Sequence, residues 1–110
     1  MGVVLVPILE DKVDAWKQWA ADLDSSGDLK DLNSRYGLTR HAAWLVETPS
    51  GPAVIALHEG PGSDDFMQKL AGSDNEVDLR FKDSLKELHG MDLSQPPPGP
   101  MPEIFIDSRG

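Results

Sequence analysis

The chain has no cysteine. That excludes disulfides and thiolate metal centres and suits a reducing compartment. Basic residues are scarce: 10 Lys and Arg stand against 19 Asp and Glu, a formal net charge of −9. They form no run that would release counterions from phosphate, so nucleic acid and anionic membranes are not expected partners. Long apolar stretches are missing too. The opening MGVVLVPILEDK is far too short to span a bilayer and lacks the basic start and cleavage site of a secretion signal. Leu5 and Val6 stand where a myristoylation motif wants serine or threonine. The expectation is a soluble, cytoplasmic protein. The glycines make no phosphate loop or dinucleotide fingerprint, and no Ser-His-Asp arrangement is legible.

What is present is enough for one domain, residues 1–110. It is organised around Leu38–Gly60, LTRHAAWLVETPSGPAVIALHEG. Two β-rich runs flank Thr48-Pro49-Ser50-Gly51, whose proline and glycine suit a tight turn. The arms are apolar on both pleat faces: Trp44 and Val46 on one, Ala43 and Leu45 on the other. A strand buried on both faces needs cover above and below. With the turn centred on Ser50 and its neighbour, His41 falls roughly opposite His58.

The flanks supply the cover. Val3–Leu9 reads as a strand, with Pro7 marking an edge, a bulge or the strand's exit. Asp11 is placed to cap a helix whose Val13, Trp16, Ala20 and Leu23 share one face. Ser25-Ser26-Gly27-Asp28 breaks that helix. Leu29, Leu32 and Tyr36 resume it, and Gly37 ends it. Ser63 is placed to cap a short helix with Asp64 and Asp65 in its first turn and Phe66 and Leu70 inward. Ser73 or Asp74 then starts the last helix, with Val77, Phe81, Leu85 and Leu88 buried and Gly90 closing it. Residues 94–102 hold a proline-rich connector, and Glu103-Ile104-Phe105-Ile106-Asp107 alternates as a final strand should.

The order β-α-β-β-α-β predicts an α+β fold of ferredoxin-like type. It is a four-stranded antiparallel sheet with its helices on one face. The other face is still apolar, which predicts a homodimer packed through its sheet faces. In VVLVPILEDKVDAWKQWAADL, AAWLVETPSGPAVIALHEG, LKELHG and EIFID the chain resembles the dimeric α/β-barrel superfamily, over nearly its whole length. That superfamily includes cofactor-independent monooxygenases, polyketide cyclases, haem-degrading enzymes, isomerases and non-catalytic stress-type dimers. The resemblance implies a site between sheet and helices. It also implies a small apolar, aromatic or polyketide-like molecule there, and no bound cofactor. The Asn, Trp and His pattern of the haem-degrading members is absent.

Within that frame His58, at the end of an apolar strand, is the candidate general base. Tyr36 or Arg40 would steady an oxyanion. His41, Trp16 and Trp44 are candidates for contact with the substrate. The reaction would be monooxygenation, cyclisation or isomerisation begun by proton abstraction. The alternative is a non-catalytic dimer that binds a ligand or serves in stress. His41 and His58 with Glu47 or Glu59 would resemble a two-histidine, one-carboxylate metal site, but no spacing enforces it and no metal is assigned. His89, beside Gly90, reads as a complement to a helix dipole.

Overall fold

A computed structural model describes residues 1–93 and 104–108. The elements are β1 (Gly2–Pro7), α1 (Val13–Ser26), α2 (Asp28–Tyr36), β2 (Arg40–Thr48), β3 (Gly51–Glu59), α3 (Phe66–Ala71) and α4 (Glu76–His89). The fold is α+β. Its sheet has the order β1-β3-β2 with antiparallel neighbours. β1 and β2 therefore run parallel with β3 between them, a split β-α-β unit.

Pro49 and Ser50 form the hairpin tip between paired Thr48 and Gly51. The Thr48 hydroxyl donates to the Gly51 carbonyl at 2.7 Å and accepts from the Ser50 N–H at 3.1 Å. Two-residue closure fixes the register all the way down the hairpin, so His41 pairs with His58 as the sequence predicts. Pro7 is the strand's exit: β1 ends there, and Ile8 N–H bonds to the Pro52 carbonyl at 3.0 Å.

The helices cover one face of the sheet. Val4, Val6, Ala43 and Ala56 share a cavity wall with Trp16 of α1 and Phe81 of α4. Val54 packs with Ile8, Trp16 and Leu88, and a second cluster joins Leu32, Leu38, Phe66, Leu70, Phe81 and Leu85. The other face carries the row Leu5–Ile55–Trp44 across the three strands and, beside it, Val3–Leu57–Ala42. Leu5 and Trp44 there are 57% and 48% exposed.

Three local expectations are corrected. Asp11 does not cap α1: it sits at φ 65°, and Lys12 takes the N-cap position with no side-chain bond. α3 begins only at Phe66, because residues 62–65 form turns and the Ser63 hydroxyl bonds back to the Gly60 carbonyl at 2.9 Å. Neither Ser73 nor Asp74 caps α4: Asn75 does, accepting from Val77 N–H at 2.9 Å. The break between α1 and α2 is as expected, with left-handed Gly27 serving both.

The fourth strand is also not there as expected. The connector 94–102 and Glu103 lie outside the described residues. Residues 104–107 form no strand, and Ile104, Phe105 and Ile106 are 54%, 88% and 92% exposed. The sheet of the described residues has three strands. Alternation makes a segment competent to pair, but the edge it meets is a non-local matter.

Candidate functional site

Two glycines lock the end of the hairpin where the histidines lie. A Cβ on Gly62 would run into the Tyr36 carbonyl oxygen, and one on Gly60 into the backbone of Gly37 and its two successors. The turn after β3 thus lies directly on the turn before β2. Thr39 N–H donates to the Glu59 carbonyl at 2.7 Å and Gly62 N–H to that of Gly37 at 3.2 Å.

Above this clamp the His41 and His58 rings meet edge to face, with centroids 4.5 Å apart and planes at 82°. Phe66 packs on both, 5.9 Å from His41 and 4.7 Å from His58, and Phe81 lies 6.2 Å from His41. His58 is 4% exposed. Burial pushes both imidazoles down to about 4, and His58 also feels His41 and the terminal ammonium. Desolvation penalises the charged ring, so both are neutral at pH 7. Nδ1 of His41 is buried with no hydrogen-bond partner.

The pair forms part of the wall of a cavity of about 240 Å³ between sheet and helices. Trp16 and Trp19 of α1, Met67 of α3, and Phe81, Leu85 and His89 of α4 also line it. No charged side chain does. Trp16 is 7% exposed, and its Nε1 has no partner.

The structure thus brings together His58, His41 and Trp16, and separates them from the other candidates. Tyr36 does not line the cavity. Its hydroxyl donates to Asp78 at 2.6 Å, within a buried network. There Asp78, 0% exposed, also accepts both Arg35 terminal nitrogens at 2.7 and 3.1 Å and the Ser73 hydroxyl at 2.6 Å. Against burial, Arg35 and the two hydroxyls hold that carboxyl down at about 2. Burial and the Asp78 bond raise the Tyr36 phenol. Arg40 lies on the far face of the sheet, 3.8 Å from Glu59. Trp44 is on that face as well. With Tyr36 and Arg40 elsewhere, an oxyanion formed beside His58 would have neither of them as partner. Glu59 and Glu47 leave the histidines without a third ligand. Among the described residues no group of three His, Cys, Asp or Glu is placed to hold a metal ion.

Of two residues central to this region, Asp78 is not singled out from the sequence and His89 reads there only as a complement to a helix dipole. Asp78 and His89 both fall on the apolar stripe of α4, at three- and four-residue steps from Phe81 and Leu85. A polar residue on a buried stripe is the signal that marks them. No helix of the described residues is long and apolar enough to cross a membrane. No protein-family model, curated protein or solved structure matches the chain.

Proposed function

We propose that this protein binds a small, largely apolar molecule in the cavity between sheet and helices, and that it does so as a homodimer packed through its open sheet faces. The observation that carries the binding reading is the cavity itself. It is apolar, free of charged side chains, and walled by two neutral imidazoles that make no hydrogen bond to the protein among the described residues. An apolar cavity with a few polar groups is the ordinary form of a small-molecule site. A cavity of about 150 Å³ takes benzene, so one of about 240 Å³ accommodates a substituted ring or two fused rings.

Dimerisation is supported by the open face, where Leu5, Ile55 and Trp44 form a continuous apolar row. Monomers seldom leave such a face wet. The arrangement of a split β-α-β unit with one bare sheet face is also that of the ferredoxin-like dimeric α/β barrels. Sedimentation at micromolar concentration checks it: a dimer is expected, and Trp44→Lys should give monomers. A monomeric wild-type protein refutes it.

Binding is tested by NMR titration with small aromatics. The indole resonance of Trp16 and the ring resonances of His41 and His58 should shift together and saturably. If none of them moves for any compound up to its solubility, the reading fails.

The neutral His58 favours a second reading, proton abstraction from the bound molecule in a cofactor-free cyclisation, isomerisation or monooxygenation. A base near 4 is fully available at pH 7 but weak, so only an acidified C–H or O–H would be within reach. Exchange of a ligand C–H with heavy water, lost in His58→Phe, is its assay.

A further inference from the structure

We propose that His89 selects what enters this cavity: its Nε2 is offered as a hydrogen-bond acceptor, so the bound molecule is uncharged and carries a donor on an apolar body. This rests on the binding reading above. His89 is the last residue of α4, 7% exposed, and lines the same cavity as His41 and His58. Its Nδ1 lies 2.8 Å from the Pro7 carbonyl oxygen. A carbonyl only accepts, so the hydrogen is on Nδ1. A neutral ring with that hydrogen keeps its lone pair on Nε2.

The tautomer is held by the frame. Pro7 ends β1, Ile8 N–H is tied to Pro52 at 3.0 Å, and Leu9 N–H to the Leu88 carbonyl at 2.9 Å. The C-terminal end of a helix favours an imidazolium. Burial acts the other way and lowers the His89 imidazole below its ordinary value despite the Pro7 contact.

Nε2 has no hydrogen-bond partner among the described residues. An acceptor without a protein partner gains a net hydrogen bond when a donor reaches it. Besides the three imidazoles and two indoles, the cavity wall offers no polar side chain. The ligand must therefore bring the donor. An ionised carboxylate would lose its hydration and find no cation, and an ammonium would find no carboxylate. A bare hydrocarbon would leave Nε2 unpaired.

The test compares three probes of one size, naphthol, naphthalene and naphthoate, by equilibrium binding to the wild type and to His89→Asn. The asparagine amide keeps an N–H for the Pro7 carbonyl and removes the Nε2 acceptor. Naphthol should bind the wild type about five-fold tighter than naphthalene, the worth of one net hydrogen bond, and naphthoate weakest. In His89→Asn the naphthol advantage should vanish while naphthalene binds as before. Naphthoate binding as tightly as naphthol, or a naphthol advantage that survives in the variant, overturns the proposal and leaves the cavity reading intact. If none of the three binds the wild type, both fall. Ring nitrogen chemical shifts of wild-type His89 give an independent readout should the variant not fold. Naphthol should move Nε2 and naphthalene should not, and equal response to both overturns the proposal.

Discussion

Acidification should destabilise this protein well above the range where carboxylates usually drive acid unfolding, and the buried pair His41 and His58 should be the main cause. Its imidazole falls from 6.5 in the open chain to about 4 in the fold. The folded state therefore binds fewer protons than the unfolded state between those two values. Where the unfolded chain holds more protons, stability rises with pH. The His58 contribution is thus complete above 6.5 and is lost as pH falls towards 4. A drop from 6.5 to about 4 corresponds to about 3 kcal/mol at 1.36 kcal/mol per tenfold change in proton affinity. His41 follows the same sign over the same window. Because His41 itself depresses His58, the pair contributes less than twice that amount. Against a typical domain stability of about 5–15 kcal/mol, the loss is large. Net charge works in the opposite direction: at −9, acid relieves self-repulsion as the pI near 4.5 is approached. A fall in stability over this window cannot then be assigned to the surface acids. Urea unfolding followed by tryptophan fluorescence from pH 7 to 4.5 measures it. The wild-type midpoint should drop steadily, and His58→Phe should flatten the curve. A wild-type midpoint that stays level, or a His58→Phe protein with an unchanged slope, refutes the reasoning.

Asp78→Ala should cost about 3 kcal/mol in urea unfolding, since it strands Arg35 and two hydroxyls around a buried gap. Asp78 has its own pH window: its carboxyl is lowered from 3.8 to about 2, so its stabilisation is present above 3.8 and lost as pH falls to 2, below the histidine window. Tyr36→Phe should cost about 1 kcal/mol and leave ligand titrations unchanged, and altered binding would return Tyr36 to the site. Gly62→Ala should cost about 3 kcal/mol or more, because its Cβ would meet the Tyr36 carbonyl. Gly27→Ala, with nothing within 4 Å of its Cβ but φ at 86°, should lose only about 1 kcal/mol. Equal losses at the two glycines would refute the clamp at the hairpin end.

Most of the local structure was legible because it follows from local rules. The strands of the hairpin, the break at Gly27 and the buried stripes of α1 and α4 all follow from side-chain period and turn chemistry. Caps were less legible. Ser63, Ser73 and Asp11 are all competent N-caps, and which one a helix uses depends on where the chain arrives from. The sequence also paired His41 with His58, since a two-residue tip counts the register down both arms. It did not reveal that Tyr36 serves Asp78, a residue forty-two positions away.

The sequence by itself determined the element types up to Gly90, the two-sided apolar sheet and the opposition of the two histidines. Each of these is set by spacing along a single strand, helix or hairpin. Only the tertiary structure decided which residues share the cavity. The Pro7 carbonyl at the exit of β1 holds His89 at the end of the cavity opposite the Gly2 that pairs with His58, and the buried Asp78 took Tyr36 out of reach. Helix packing on the His41 and Ala43 side of the sheet left Arg40 and Trp44 on the far face, because neighbours along a strand point opposite ways. The tertiary structure likewise decided that Ile104, Phe105 and Ile106 form no fourth strand among the described residues. Pairing depends on the free energy of closing a long stretch of chain, and no local pattern contains that term.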